Sequence, residues 1–478
     1  MSLNLLLLMT DQWRWDTLFQ TGHVCRTPNL DRFAERGVAF RNAFTPYPLC
    51  TPARAALMTG RWPHQVRLTD NVGGGSFHPH GKLHLGFPTY LERLRDAGRA
   101  VAYCGKWHLG NGTLHERGIH NVRLSDGGDR EHGSRGGWAR PELEGEWYRP
   151  FYGSFTDGTT LDAARVAAAI EQLDELAGGD SPFCLMLSLS GPHFPHFVPK
   201  RFADLYADLP DGFKPANYCP PFVEPGKPRM QSAPYWGCQD TRPLTADDWR
   251  RTCQHYWGFC SHLDDELGRL FARLDERGLW DDTVVAFFAD HGEMLGAHGN
   301  FDKGPYLYDE IVRIPMIVWD PQGRAPRNAG GFVSLLDLFP TLIDLAGVDG
   351  VLTDAERERS FWQTDRDCAF SCYDSYQGRE FKLRGVRTAR WKYVWSPHDR
   401  CELYDRATDP GERANRIDDP ACDDVRRGLH ARVVAWMERE DDYLLTARHL
   451  LPPGAYIDGR GADEQHDHGV APPERGHS

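Results

Sequence analysis

Val284-Val285-Ala286-Phe287-Phe288 is an unbroken apolar run that ends, one residue later, at Asp290-His291-Gly292. A run this short, rich in branched and aromatic side chains, suits a buried strand rather than a helix. The same pattern occurs three more times. Leu5-Leu6-Leu7-Leu8-Met9 leads to Asp11, and Val101-Ala102-Tyr103 leads to Gly105-Lys106-Trp107-His108. Phe183-Cys184-Leu185-Met186-Leu187 leads to Gly191-Pro192-His193. Helical patterns lie between them. Leu161 to Leu176 is alanine-rich and stopped by Gly178-Gly179, and the stretch from about Ala246 to Arg277 carries Leu263, Leu267, Leu270 and Leu274 at helical spacing. Strand–helix alternation predicts an α/β fold with helices on both faces of the sheet. Ligands of such sheets bind outside the carboxyl ends of the strands, so the polar residue closing each run is expected in one crevice.

Composition sets the outer limits. Of 478 residues, 40% are apolar and 12% aromatic, which is enough for a large core. A formal charge of −13 argues against nucleic acid as a partner. An anionic substrate would then need a local basic pocket. The twelve cysteines form no Cys-x-x-Cys pair and read as reduced core residues, Cys184 and Cys260 among them. Leu3 to Met9 lacks a basic flank and a small-residue cleavage site, so a first strand and a cytoplasmic location are expected. No apolar run is long enough to span a membrane.

The composition shifts after about residue 350. We expect a main domain over residues 1–350 and a smaller C-terminal α/β module over 351–445. The module has two short strands in Phe381 to Trp395, a turn at Asp409-Pro410-Gly411-Glu412 and a helix from about Asp424 to Glu440. Residues 446–478 form a tail rich in Pro, Gly, His and charge. Such a tail is either disordered or an arm that orders against a neighbouring subunit, which leaves a homo-oligomer open.

Cys50-Thr51-Pro52-Ala53-Arg54 precedes a helical signal, Ala55-Ala56-Leu57-Met58-Thr59-Gly60. Thr51 is expected to cap this helix, Pro52 to suit its first turn and Gly60 its end. Cys50 then lies at the helix N-terminus, where the dipole favours negative charge, and Arg54 reaches back toward it. Taken alone, these residues equally suit a buried thiol and a surface arginine. Likewise, Asp11 suits a helix cap and Asp290-His291-Gly292 a turn.

Taken together and in order, the motifs resemble the type I sulfatases. Cys50-x-Pro52-x-Arg54 with Leu57-x-Thr59-Gly60 is similar to the first sulfatase signature. Ala289-Asp290-His291-Gly292-Glu293-Met294-Leu295-Gly296, with His298-Gly299, Lys303 and Arg313-Ile314-Pro315-Met316, resembles the second. Gly105-Lys106-Trp107-His108-Leu109-Gly110, Pro192-His193-Phe194-Pro195, Glu402-Leu403-Tyr404-Asp405 and Asp409-Pro410-Gly411-Glu412 are further family blocks.

The resemblance implies an alkaline phosphatase-like fold: a large mixed, mostly parallel sheet sandwiched by helices, with residues 1–350 as the catalytic domain. It implies that a formylglycine-generating enzyme oxidises Cys50 to formylglycine, whose hydrate is the nucleophile. It implies one divalent metal held by Asp11, Gln12, Cys50, Asp290 and His291, with Ca²⁺ favoured and Mn²⁺ or Mg²⁺ as alternatives. Arg54, Lys106 and Lys303 would hold the sulfate oxygens. His193 with Lys303 would protonate the leaving group, and His108 would assist sulfate release. Asn71 would be a further substrate contact, or a turn residue before Gly73-Gly74-Gly75.

There are departures. Asp11-Gln12 replaces a common Asp-Asp, Ala53 a common Ser, and Asp290-His291 the Asp-Asn of some relatives. Choline sulfatases and phosphonate monoester hydrolases share such variations. The expected activity is hydrolysis of a small sulfate monoester. The alternatives are a phosphonate monoester hydrolase or phosphodiesterase with the same machinery and, ranked last, a non-catalytic pseudo-enzyme. Trp13, Trp15, His78, His80 and the 130–150 and 210–240 segments are expected at the pocket rim, which leaves a sugar, aryl or choline-like alcohol open.

Overall fold

The computed structural model describes residues 2–18, 22, 24–72, 81–111, 113–125, 152–221, 224–231, 241–324, 330–360, 366–376 and 378–446. His78, His80, the 130–150 segment and the tail beyond 446 lie outside these residues.

Seven strands form the main sheet: β1 (Asn4–Asp11), β2 (Val38–Ala39), β3 (Ala100–Gly105), β4 (Asn121–Arg123), β5 (Phe183–Pro192), β6 (Thr283–Ala289) and β7 (Met316–Trp319). Their order is β2-β7-β6-β1-β5-β3-β4. The pairings from β6 through β4 are all parallel, and β7 runs antiparallel to both β6 and β2. All four apolar runs read from the sequence are strands of this parallel core. Leu7 sits between Met186 on one neighbouring strand and Ala286 on the other. Successive residues point to opposite faces, and Leu5 through Met9 are all buried, so β1 is apolar toward both faces of the sheet.

Helices flank the sheet. Helix α1 (Cys50–Thr59), α2 (Leu161–Ala177) and α3 (Ala246–Arg277) surround the parallel strands, with α2 packed on β3, β5 and α3. Helix α3 has the bounds its leucine spacing predicts. Thr245 and Asp248 form a reciprocal capping box at its start, and Gly278 closes it in the left-handed conformation at φ 63°.

The C-terminal region adds an antiparallel sheet, β8 (Cys368–Tyr376), β9 (Arg379–Thr388), β10 (Trp391–Trp395) and β11 (Glu402–Asp405), covered by helix α4 (Asp423–Arg439). The two expected strands are β9 and β10; β8 and β11 extend the sheet on either side. Leu383, Tyr393, Trp395 and Trp436 share one apolar core with Tyr47, Leu49, Ala56 and Tyr308. This core places the second sheet against α1 and the segment preceding it.

Candidate active site

Strand register brings the site together. Asp11 lies opposite Pro192, Thr10 opposite Ala289 and Gly105 opposite Ser188. Residues just past these positions therefore leave the sheet at one level: Asp290-His291 from β6, Lys106 from β3 and His193 from β5. Helix α1 delivers Cys50 to the same edge.

The start of α1 differs from expectation. The N-cap position is Leu49, which has no polar side chain, and Thr51 is already inside the helix. The Thr51 amide is instead capped from outside by Asn71 Oδ1 at 3.0 Å. The Thr51 hydroxyl donates to the His108 carbonyl at 2.8 Å and accepts from the Val72 amide at 3.2 Å. Gly60 closes the helix as expected, at φ 64°. A Cβ there would lie 2.1 Å from the Tyr90 hydroxyl, so only glycine fits.

Arg54 is fully buried and clamps two carboxylates. Its Nε lies 2.9 Å from Asp290 Oδ2 and its Nη2 2.9 Å from Asp11 Oδ2. Its Nη1 donates to the Lys106 carbonyl at 2.7 Å and to Ser188 Oγ at 2.8 Å. Lys106 Nζ adds a second cation 2.7 Å from Asp11 Oδ2. Burial alone would raise the Asp11 pKa, but the cations Lys106 and Arg54 outweigh it and hold the group well below its usual range. Burial and the neighbouring Asp11 raise Asp290.

Ligand atoms of Asp11, Cys50, Asp290 and His291 all lie within 4.8 Å of one another, and all four residues are buried. Cys50 Sγ stands 3.2 Å from His291 Nε2 and 3.6 Å from Asp11 Oδ1. Burial opposes a charge on His291, yet Asp290 and Cys50 raise its pKa to about 9. The centre thus attracts positive charge even where desolvation disfavours it. Two carboxylates and an imidazole fit a divalent cation.

Gln12 adjoins this cluster but turns its side chain the other way. Its backbone amide donates to Asp290 Oδ1 at 3.1 Å. Its carboxamide donates to Glu293 and, at 3.0 Å, to Asp302 Oδ1, and its oxygen accepts from Lys303 Nζ at 2.8 Å. Lys303 also meets Asp302 Oδ1 at 3.0 Å and His193 Nε2 at 2.8 Å. His108 is held neutral, its pKa driven well down by burial, Lys106 and Arg54. Gln12 (φ 66°), His108 (φ 56°) and Asp302 (φ 66°) all adopt left-handed backbone, which costs about 1–3 kcal/mol each and tends to gather at functional sites.

The expected site residues thus gather around the start of α1: Cys50 and Arg54 on the helix itself, Asn71 and His108 through Thr51, Asp11, Gln12, Lys106, His193, Asp290 and His291 from the strand ends, and Lys303 from the loop beyond β6 through Gln12 and His193. The structure adds Ser188, Glu293 and Asp302. Ser188 is hidden within an apolar strand run. Glu293 stands in the second signature, but nothing in its spacing shows that it would meet Gln12. Burial and Asp302 push Glu293 to about 7. Trp13 is not at the rim: it is fully buried, edge-on to Phe287, with its indole N–H on Thr17 Oγ1 at 2.7 Å. Trp15 lies under the Arg313 guanidinium, 3.6 Å from ring centre to carbon.

Comparison with known proteins bears on the same residues. The family model described as Sulfatase matches residues 3–348, and the one described as N-sulphoglucosamine sulphohydrolase, C-terminal, matches 296–439. A choline-sulfatase of Rhizobium meliloti (strain 1021) is 29% identical over 450 residues, covering 87% of this chain and 83% of its own. An uncharacterized sulfatase of Escherichia coli (strain K12) is 29% identical over 469 residues, covering 94% and 90%. The crystal structure of the phosphonate monoester hydrolase of Agrobacterium radiobacter superposes with a TM-score of 0.70 at 25% identity, covering 92% of this chain and 96% of that one. The Sulfatase match runs from β1 past β6 and so takes in every strand end that builds the crevice; the chain belongs to the sulfatase family, the sulfuric ester hydrolases.

Proposed function

We propose that the protein hydrolyses a small sulfate monoester to an alcohol and sulfate, with Cys50 oxidised to formylglycine and one divalent cation beside it. The observation that carries this reading is the position of Cys50 Sγ, 3.2 Å from His291 Nε2 and 3.6 Å from Asp11 Oδ1, at a helix N-terminus. An ordinary core thiol has no need of two carboxylates, an imidazole and two cations around it.

Asp11, Asp290, His291 and the residue-50 side chain would hold the cation, and Gln12 adjoins them. When bound, the cation neutralises substrate charge and polarises the residue-50 oxygen, and the formylglycine hydrate supplies that oxygen as nucleophile. Asp290 accepts the proton the nucleophile gives up. Arg54 is wholly inside and bound to both carboxylates, so its work is to orient Asp11 and Asp290. Lys106 keeps 14% of its side chain exposed and Arg54 none, so Lys106 is the cation that meets the substrate oxygens. Lys303 meets them from the other side and, with His193, protonates the departing alkoxide as the S–O bond breaks. His108, a neutral imidazole, takes the proton lost during sulfate release.

Calcium is the favoured ion because the donors are mostly hard oxygens, with manganese and magnesium as alternatives. A formylglycine-generating enzyme is the implied maturation partner. Among the described residues no helix is long and apolar enough to cross a membrane.

The structural likeness to a phosphonate monoester hydrolase supports a second reading, in which a phosphonate monoester or phosphodiester is the preferred substrate. The test is kcat/KM for an aryl sulfate, a phosphonate monoester and a phosphodiester, on protein of known formylglycine content. Preference for the sulfate supports the first reading, and preference for either phosphorus ester overturns it.

A further inference from the structure

Helix α1 is held at its mouth by a segment that the C-terminal sheet controls. Asn71 Oδ1 caps the Thr51 amide at 3.0 Å, one residue from Cys50. The preceding residue, Asp70, is 4% exposed, and each of its carboxylate oxygens is engaged. Oδ1 accepts from the Asn71 amide at 2.8 Å, and Oδ2 accepts from the Gly378 amide at 3.1 Å. Gly378 lies in the turn between β8 and β9, more than 300 residues away in sequence.

The end of β8, next to that turn, is fixed to the same segment and to Tyr47 ahead of α1 by further bonds. Ser375 Oγ donates to the Thr69 carbonyl at 3.0 Å. The Tyr47 hydroxyl accepts from the amides of Asp374 at 2.7 Å and Ser375 at 3.1 Å. A hydrogen-bonded path therefore runs from Gly378 through Asp70 and Asn71 to the first turn of α1.

We propose that Asp70 is a positioning residue for the nucleophile: it transmits the placement of the β8–β9 turn, through Asn71, to the residue-50 side chain. This rests on reading Cys50 as the nucleophile precursor. The physical basis is geometric. The first amides of a helix have no partner within it, Leu49 supplies none, and so the direction in which α1 presents residue 50 depends on an outside acceptor. A misplacement of about 1 Å at a reacting group costs on the order of 10²-fold in rate.

The test is a double-mutant cycle with Asp70→Ala and Asn71→Ala, read as kcat and KM on whichever ester the wild type turns over fastest. Thermal unfolding is measured for every variant. We expect Asp70→Ala to lower kcat about 10- to 100-fold with KM changed less than about threefold. We expect it to cost less than about twofold when Asn71 is already alanine, because residues acting through one contact are not additive. A fall in melting temperature alone would be the same in both backgrounds. Asp70→Asn keeps an acceptor and should recover part of the loss, and it serves as the probe if the alanine variant does not fold. Equal losses in both backgrounds, or an unchanged kcat, overturn the proposal. Turnover retained by Cys50→Ala overturns the underlying reading instead, and the two failures are separate.

Discussion

Lys303 Nζ stands 2.8 Å from His193 Nε2. Two basic groups meet at this distance only if one is neutral. Burial and the adjacent Lys303 hold the His193 pKa well below its usual value. Burial opposes the Lys303 charge, but Asp302 and Cys50 outweigh it and hold Lys303 well above the usual lysine value. The pair therefore carries its extra proton on lysine, and the histidine accepts it in a hydrogen bond. His193 Nδ1, 2.5 Å from the Phe194 carbonyl, keeps the other ring proton.

A proton held this way suits a leaving alkoxide. Lys303→Ala and His193→Ala should each lower kcat/KM by about 10²-fold or more for an alkyl sulfate, the usual range for lost acid catalysis. A nitrophenyl sulfate, whose leaving group needs little protonation, should lose much less. The slope of log kcat/KM against leaving-group pKa checks this: it should steepen in both variants. An unchanged slope would remove the pair from this role.

Thr51 ties three segments at the nucleophile, and its hydroxyl holds the carbonyl of His108, whose backbone is left-handed. Thr51→Val keeps the shape and removes the hydroxyl. We expect about a tenfold loss of kcat, in line with a small displacement at a reacting centre, with little change in melting temperature. Steady-state kinetics beside thermal unfolding separates the two effects.

The cation site can be tested through stability. A ligand at 100 times its Kd stabilises the folded chain by about 2.7 kcal/mol. Adding Ca²⁺ should therefore raise the melting temperature, and Asp11→Asn should abolish the response. His291 must lose its proton to bind, and its pKa is raised to about 9 against the opposing effect of burial, by Asp290 and Cys50. Below that pH, proton and cation compete, so the calcium-induced shift should be larger at pH 8.5 than at 6.5. The comparison belongs on chain with unconverted Cys50, to which this pKa applies. A shift independent of pH would contradict it.

Acid stability should depend on His196, the first residue of the short strand His196–Pro199 that follows β5. Its ring is fully buried edge-on to Tyr256 and Phe301, and burial lowers its pKa to about 3. The unfolded chain binds this proton at about 6.5 and the folded chain does not, so stability falls as pH drops below about 6.5. The loss is on the order of 1.4 kcal/mol per pH unit. His196→Phe removes the group and fits the aromatic surroundings. Urea unfolding at pH 7.5 and 5.0 should show a smaller acid loss in the variant than in the wild type.

The parallel core is legible because a strand buried on both faces needs an apolar run, and the polar residue that ends it marks the strand end. Asp11, Lys106, His193 and Asp290 all follow that rule. Strands β8 and β11 escape because their burial comes from the fold. Polar residues such as Ser371 and Asp374 interrupt β8, and it is secured by pairing with β9. The cap on α1 is misread at Thr51 because the helix begins two residues earlier than its sequence suggests, with Leu49 at the cap position. The true acceptor, Asn71, is twenty residues on and reachable only through the tertiary fold. The Gln12 carboxamide turns toward Lys303 for the same kind of reason: Glu293 and Asp302 come from a distant loop that no local pattern connects to β1.

In the proposed reaction Cys50 acts only as formylglycine. The most direct measurement is turnover of an aryl sulfate by preparations with graded conversion of Cys50, each quantified by mass spectrometry of the peptide containing residue 50. kcat per chain should rise in proportion to the converted fraction and extrapolate to zero where all of Cys50 remains a thiol. Undiminished turnover in fully unconverted protein would contradict it.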